Sequence, residues 1–382
     1  MPKKFEMVLK SIEIKNFRNH IHTKLEFSEN LNLFVGGNAQ GKTSILEAIS
    51  YLCLTKSFNA NSDSYVLNFN AKFFEVLGTF ELDNGNEVTV KVNFENGQGK
   101  RIFLNKENVE KFAIVVHKFP IVILSPRSKD VVQGTPEDRR KFFDLAIAQL
   151  SSVYVDDILN YKKVLKQRNR ILNAIASEDV KLEQGLDLLN VWDEEFINYA
   201  AKVTFRKVKF MNDFILFFKK AYSNFSAGED AEIKYLTQVE VDVQDDFEVI
   251  KNKFEVALKK LRSEEIRRGV TLIGPHRDEY VFEINGHEVK RFASQGQMKT
   301  FLVALTMAKF FYLKEKKSET PILLLDDAFD ELDVERAKKL ISFVGNVGQV
   351  FITATDLNVL SGIEGEFKMK KFIVKLGTVN DA

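Results

Sequence analysis

Apolar and polar positions near the start of the chain alternate with a period of two. Val8-Leu9-Lys10-Ser11-Ile12-Glu13-Ile14-Lys15-Asn16-Phe17 reads as a half-buried strand, as does Thr23-Lys24-Leu25-Glu26-Phe27. Leu31-Asn32-Leu33-Phe34-Val35 is an apolar run, after which Ser44-Ile45-Leu46-Glu47-Ala48-Ile49 takes helical spacing. Phe73–Leu82 and Glu87–Phe94 flank Asp83-Asn84-Gly85-Asn86, a hairpin signal. Arg101–Leu104 adds a strand, and Ile121–Leu124 reads as a buried one ending at Ser125-Pro126.

The pattern changes at Gly134. Thr135 is placed to cap a helix with Pro136 at its first position and Glu137 and Asp138 in its first turn. From Glu137 to about Arg268 the period is mostly helical. Breaks are expected near Ala176–Asp179, at Gly185 and at Ser226-Ala227-Gly228, with a short extended piece between Leu236 and Val243. Strand character returns at Val270–Ile273 and Tyr280–Ile284. Gln297–Leu313 predicts a long helix with a continuous apolar face. Pro321–Asp326 is a buried parallel strand ending in acid, Val334–Val344 a helix, Gln349–Ala354 a buried strand and Phe372–Leu376 the last strand. The pattern divides the chain into residues 1–135 and 269–382, two parts of one α/β head, and residues 136–268, a helical insert. No internal repeat or low-complexity segment is present.

Between the strand at Leu31 and the helix at Ser44 lies Gly36-Gly37-Asn38-Ala39-Gln40-Gly41-Lys42-Thr43. Strand, glycine-rich turn and helix form the context of a phosphate-binding loop. Glycines let backbone N–H groups converge on phosphate oxygens, and the helix start adds free donors and the positive end of its dipole. Residues Gly36 to Ser44 are thus the nucleotide-binding segment. In it Lys42 reaches the β- and γ-phosphates of a nucleoside triphosphate, and the Thr43 hydroxyl ligates Mg²⁺.

Composition narrows this little. The 382 residues suffice for two or three domains, and 45% hydrophobic with 29% charged residues describes an ordinary soluble protein. Net charge is +1, so any nucleic-acid contact must come from local clusters. The single Cys53 excludes an intramolecular disulfide and Cys-based zinc, and reads as buried filler. No apolar run reaches membrane-spanning length and Met1–Glu6 lacks a secretory core, so a cytoplasmic location is expected.

Leu323-Leu324-Leu325-Asp326-Asp327 supplies the matching acids: Asp326 to hold the Mg²⁺ shell, Asp327 to orient or activate the attacking water. The plainer reading is a buried strand with an acidic cap. Asp330-Glu331-Leu332-Asp333 follows, where Asp333 can cap the next helix. Ser294-Gln295-Gly296-Gln297 opens the long helix as a second anion cradle, or as an ordinary N-cap. Basic clusters are Arg139-Arg140-Lys141, then Lys162-Lys163 with Lys166, Arg168 and Arg170, and Arg206-Lys207-Lys209. Lys162, Lys166 and Arg170 share one helical face, a ridge able to neutralise phosphates or simply a solvated surface.

In this order the motifs resemble ABC-type ATPase heads of the SMC kind. Ile12-Glu13-Ile14-Lys15-Asn16-Phe17-Arg18-Asn19, the run Gly134-Thr135-Pro136-Glu137-Asp138-Arg139-Arg140-Lys141-Phe142-Phe143-Asp144, Tyr161 to Asn169 and Gly274-Pro275-His276-Arg277-Asp278 are narrower. They resemble the RecF family of bacterial recombination mediators over nearly the whole chain, with the usual start at Met7. The resemblance implies an ABC-type P-loop head with a helical insert, and catalysis by Lys42, Asp326 and Asp327 with ATP and Mg²⁺. It implies completion in trans, Ser294 and Gly296 of one copy meeting the γ-phosphate at Lys42 of another, so that ATP drives a homodimer. It further implies binding to DNA gaps and single-strand–double-strand junctions, partnership with RecR and indirectly RecO and RecA, slow hydrolysis that resets the dimer, and association with the nucleoid.

Asp327 replaces the Glu of most such heads, as in the RecF pattern, and Ile352-Thr353-Ala354-Thr355-Asp356 carries no switch His. No glutamine follows Leu124 where a Q-loop would begin. These departures disfavour the nucleotide-binding subunit of a membrane transporter. A long-armed SMC-like repair ATPase is disfavoured by an insert whose antiparallel arm could reach only roughly 100 Å at 1.5 Å per residue. A nucleotide-binding module without turnover is the third alternative. His276 and Arg277 have two readings, sensing nucleotide or DNA or fixing their loop by hydrogen bonds, and the loop role is the one expected.

Overall fold

The computed structural model describes residues 7–226, 228–317, 319–327, 333–346, 348–356 and 368–382. Strands β1 (Val8–Phe17), β2 (His20–Glu26) and β3 (Leu31–Val35) lead into helix α1 (Lys42–Leu54). Then come β4 (Phe73–Glu81), β5 (Glu87–Glu95), β6 (Gly99–Leu104), β7 (Glu107–Asn108), α2 (Ala113–Lys118) and β8 (Ile121–Leu124). Helices α3 (Asp130–Gln133), α4 (Pro136–Leu150), α5 (Ser152–Ala176) and α6 (Leu182–Ser223) follow. After them lie β9 (Ala231–Leu236), α7 (Phe247–Arg268), β10 (Glu279–Ile284), β11 (His287–Glu288) and α8 (Val289–Phe292). The chain ends with α9 (Gln295–Lys316), β12 (Ile322–Leu325), α10 (Val334–Gly345), β13 (Val350–Ala354), β14 (Met369–Lys375) and β15 (Thr378–Asp381). Met1–Glu6, Ala227 and the Asp330-Glu331-Leu332 part of the acidic loop lie outside the described residues.

These elements form two compact units. The first gathers the described residues up to Gln133, Lys220–Glu229 and those from Ala293 on; the second is Gly134–Lys219 with Asp230–Phe292. In the first unit one sheet runs β2-β1-β4-β5-β6-β7, antiparallel throughout. The second runs β15-β14-β3-β13-β12-β8, parallel except for its β15 edge. Every residue of β3, β12 and β13 is buried, as parallel strands covered on both faces must be. In β4 and β5 buried and half-buried residues alternate, so one face is more open. Helix α1 packs on strands of both sheets, which is why it is buried nearly all round from Ile45 to Leu54 and has no polar stripe. Phe34 stacks on Phe372 at 4.9 Å between ring centres, and Phe27 meets Phe351 edge-on at 4.9 Å, locking β14 and β13 beside β3.

The second unit is mainly helical, with the small sheet β11-β10-β9. Helix α4 starts as its sequence requires: Pro136 occupies the first turn, and the Thr135 N–H and hydroxyl donate to Asp138 at 2.8 and 2.7 Å. The centre of the unit is charged. Arg168, fully buried on α5, donates to Asp193 at 2.7 Å, Glu265 at 2.6 Å and the Thr271 hydroxyl at 2.7 Å, with its guanidinium over the Phe196 ring.

That centre accounts for several departures from expectation. Val270–Ile273 is not a strand, because side chains take its backbone donors: Thr271 N–H goes to Asn169 Oδ1 at 2.8 Å and Leu272 N–H to Glu265 Oε1 at 2.7 Å. Because β10 pairs with β9 in the second unit, the chain rejoins the first unit at Ala293 rather than at residue 269. The extended piece falls on Ala231–Leu236, before the stretch expected. Gly185 does not break α6; it lies within the helix, where a Cβ would meet Ile175 Cγ1 at 2.4 Å.

Several basic residues expected to face DNA are internal instead. Arg168 is the core of the network above. Arg139 is 4% exposed and pairs with Glu279 at 2.7 Å, while Lys207 is 1% exposed and pairs with Asp144 at 3.0 Å. Arg140 is half-buried and donates to the Asp278 carbonyl at 2.8 Å. Lys162, Lys163, Lys166 and Arg170 stay exposed on α5. The Gly274–Asp278 loop is held as its role required: Arg277 Nε donates to the Thr271 carbonyl at 3.0 Å, and His276 Nδ1 is 2.6 Å from the Tyr161 hydroxyl. Burial pushes the His276 pKa down to about 4, so the ring is neutral.

Arg168→Ala would strand the fully buried Glu265 carboxylate without a cation, while Asp193 keeps Arg262. The expected loss is about 3–5 kcal/mol in urea unfolding, the range for breaking a buried pair. Weakened DNA binding at unchanged stability would contradict this assignment.

Candidate nucleotide site

The site is built at the C-terminal edge of the parallel sheet, where β3 gives way to α1. Gly36 has no room for a side chain, since a Cβ would sit 2.3 Å from the Val374 carbonyl oxygen on β14. Gly41 has φ +110°, and a Cβ there would meet Asn19 at 2.7 Å. Lys42 folds back over the loop: Nζ donates to the Gly36 and Gly37 carbonyls at 2.8 and 2.9 Å. Gln40 is clasped by the β14–β15 turn, accepting from Leu376 N–H and Gly377 N–H at 2.8 and 2.9 Å.

Strand β13 lies between β3 and β12, so the ends of all three strands meet. There the Thr43 hydroxyl donates to Asp326 Oδ1 at 2.8 Å. The Thr353 hydroxyl is 3.0 Å from the same oxygen and 3.2 Å from Asp327 Oδ1. Asp326 is 2% exposed. Burial, helped by the Asp327 charge, pushes its pKa up to about 6 against the hydrogen bonds from Thr43 and Thr353.

A cleft of about 1150 Å³ opens over the loop, lined by Asn38–Ser44, Arg18, Asn19, Ile21, most of Ser64–Ala71, Asn96 and Asp327. Its wall is fixed by Arg18, which makes a two-pronged pair with Glu47 at 2.8 and 2.9 Å and donates to the Tyr65 carbonyl at 2.8 Å. Tyr65 and Phe69 project from that wall, 68% and 104% exposed. The loop is propped from behind by His20, whose Nε2 donates to the Gly41 carbonyl at 3.0 Å while Nδ1 faces the Thr23 hydroxyl at 2.9 Å. Burial lowers the His20 pKa and keeps the ring neutral.

The helix start expected as a second anion cradle or an ordinary N-cap is a formed cap that stands apart from this cleft. Ser294 caps α9 reciprocally with Gln297: Ser294 N–H to Gln297 Oε1 at 2.8 Å, Gln297 N–H to Ser294 Oγ at 3.2 Å. Gln297 Nε2 then donates to Glu229 at 2.8 Å, and that carboxylate also accepts from Tyr222 at 2.7 Å and Ser226 at 2.6 Å. Ser294 and Gln295 are exposed, and a Cβ on Gly296 would find its nearest atoms at 3.9 Å. None of Ser294, Gln295, Gly296 or Gln297 lines the cleft over Lys42. Gln133 contacts Met298 Sδ at 3.2 Å and does not line it either.

Sequence reasoning therefore assembled Lys42, Thr43, Asp326 and Asp327, and missed His20, Arg18 and Thr353 as their supports and Glu229 as the support of Gln297. The one signal for Arg18 was Glu47, an acid at a core position of α1 that demands a cation.

A model of the RecF/RecN/SMC N terminal domain family matches residues 8–373. A DNA replication and repair protein RecF of Chloroherpeton thalassium is 39% identical over 358 residues, covering 92% of this chain and 95% of that protein. The chain belongs to the RecF family. Among solved structures, one of the recombination mediator protein RecF with ATP, in the RecFOR pathway, matches with TM-score 0.91 at 31% identity over 100% of this chain and 99% of that one. An Smc head domain from Pyrococcus furiosus matches with TM-score 0.56 at 15% identity over 98% and 96% of the two chains, a likeness of fold alone. The ABC-type, SMC-like ATPase head with a helical insert is thus the RecF-family fold.

The raised Asp326 pKa gives a test with a definite sign. The folded chain binds this proton more tightly than the unfolded one, whose carboxyl titrates near 3.8, so stability falls as pH rises from about 4 through about 6. Without nucleotide, Asp326→Asn should stabilise the chain at pH 8 by on the order of 2 kcal/mol. The gain should vanish below pH 4; a gain equal at both pH values would contradict the assignment.

Proposed function

We propose that this chain is an ATP-dependent DNA-binding protein of recombinational repair and replication-fork maintenance. The reading is supported by its family and by the RecF–ATP structure it resembles. ATP binds in the cleft over Lys42, Asn38–Ser44 cradle its phosphates, and Asp327 orients the attacking water. The Thr43 hydroxyl and the Asp326 carboxylate are the residues that would hold Mg²⁺, which screens the phosphate charge when bound. They suit that ion: it takes few protein ligands beside phosphate and water, and among the described residues no cluster of three or more His, Cys, Asp or Glu offers another metal site.

The observation that carries the reading is the exposed, preformed start of α9, outside the cleft of its own chain. A γ-phosphate at Lys42 meets donors on one side only. Ser294 and Gly296 of a second copy complete the cage, so ATP drives homodimerisation and slow hydrolysis releases it.

DNA is held at gaps and single-strand–double-strand junctions by the dimer. The α5 face carrying Lys162, Lys163, Lys166 and Arg170 supplies phosphate contacts: all four are exposed, and none is ion-paired among the described residues. Lys162 to Arg170 spans about 12 Å of helix. The partner on DNA is RecR, with RecO and RecA acting downstream. No described helix is long and apolar enough to cross a membrane, and we place the protein in the cytoplasm at the nucleoid.

Sedimentation with ATP, ADP or neither, each with and without gapped DNA, tests the core of this. Lys42→Ala should lower ATP affinity at least about tenfold, a charge-assisted contact being worth roughly 1.5–3 kcal/mol, and abolish the ATP-dependent dimer. Ser294→Arg should bind ATP normally and remain monomeric; dimerisation equal to wild type would refute completion in trans.

Replacing Lys162, Lys166 and Arg170 with Gln should flatten the dependence of log K for DNA on log salt by about two to three units. An unchanged slope would move the contact off α5.

A further inference from the structure

We propose that Thr353 is a positioning residue for ATP hydrolysis, its hydroxyl holding Asp326 and Asp327 in working orientation. This rests on the reading of the site as an ATPase.

The argument begins with strand order. Strand β13 runs parallel between β3, which ends in the phosphate loop, and β12, which ends in the two acids. Ile352 is opposite both Leu33 and Leu325, so Thr353 stands one residue further on, level with the turn at Asp326. It is fully buried and surrounded by apolar residues of its own strand. A lone hydroxyl there needs polar partners, and all those described belong to the acid pair.

Its bonding is directional. The hydroxyl oxygen accepts from Asp327 N–H at 2.8 Å. Its one proton then goes to Asp326 Oδ1 at 3.0 Å or Asp327 Oδ1 at 3.2 Å. Thr43 donates to the same Asp326 oxygen, and among the described residues no donor reaches Oδ2. Thr43 and Thr353 therefore fix the Asp326 carboxylate through one oxygen and leave the other for the shell of a bound ion.

Asp327 depends on Thr353 more closely. Its φ is +46°, a left-handed conformation unusual outside glycine. An N–H turned that way would lose its acceptor if Thr353 were apolar, and the turn aiming the carboxylate would lose its fastening. Since Asp is one methylene shorter than Glu, a small swing at this residue moves the carboxylate out of reach of the attacking water.

The experiment compares wild type, Thr353→Val and Thr353→Ser by ATP turnover, affinity for a fluorescent ATP analogue, ATP-dependent sedimentation and melting without nucleotide. Val keeps the shape and removes the hydroxyl. Its kcat should fall about 10- to 100-fold, the usual effect of losing a residue that orients a metal ligand. Nucleotide affinity and dimer formation should stay near wild type, melting should drop by no more than a few degrees for the lost Asp327 N–H bond, and the ATP dimer should persist longer after a chase with ADP. Ser should restore wild-type turnover. An undiminished kcat in Val, or Ser as slow as Val, would overturn the proposal; so would a Val variant whose melting and ATP affinity collapse together, since that marks support of the fold. Wild type binding ATP without turnover would overturn the hydrolytic reading and this proposal with it, whereas turnover shared equally by wild type and Val overturns only Thr353.

Discussion

A hydrogen bond between residues 283 positions apart, Thr43 to Asp326, is the contact on which the site depends. It exists because the parallel sheet interleaves the two ends of the chain: β3 from the start, then β13, β12 and β14 from the finish. Phosphate loop and acids are brought to one edge by backbone pairing, and α1 is then packed between that sheet and the antiparallel one. Such a closure tolerates a long insertion, because the entropy lost in joining two chain segments grows only logarithmically with the length between them. The helical second unit can therefore have its own centre without loosening the first.

Both units bury charge, for different ends. Around Arg168 the charges are matched: the Glu265 and Asp193 carboxylates face the Arg168 and Arg262 guanidiniums, and the Thr271 hydroxyl takes a further Arg168 donor. Around Asp326 they are not: the group is buried beside another acid and held by hydroxyls, with Lys42 drawn away onto loop carbonyls. A matched network fixes a fold. An unmatched acid at the edge of a cleft is held against its own solvation and is relieved only when positive charge arrives, which is how binding sites differ from cores.

What could be read from the chain alone follows the same division. Periodicity and glycine placement exposed the strands, the phosphate loop, the acid pair and the cap of α9, because each is written in a handful of adjacent residues. Arg168 was misread because its exposure depends on Asp193 and Glu265, far along the chain, and helical spacing alone does not tell a buried cation from a solvated one. Val270–Ile273 misled for a related reason: its composition suits a strand, but Asn169 and Glu265 supply the acceptors a neighbouring strand would have offered. His20 and Thr353 were invisible because they act on backbone groups of other motifs.

The start of α9 shows why a half-site can be ready before its ligand. Ser294 and Gln297 satisfy each other, and the free amide of Gln297 is tied to Glu229, which is tied in turn to Tyr222 and Ser226. The Ser294 and Gln297 side chains are thus spent on bonds inside the same unit. A surface ordered in advance loses less entropy on association, so in the dimer proposed above more of the attraction between phosphate and helix start would remain to hold two copies together. The cleft over Lys42 is ordered from behind in the same way by His20 and Arg18. Two rigid halves that do not meet within one chain are the arrangement in which a small, highly charged ligand can govern assembly.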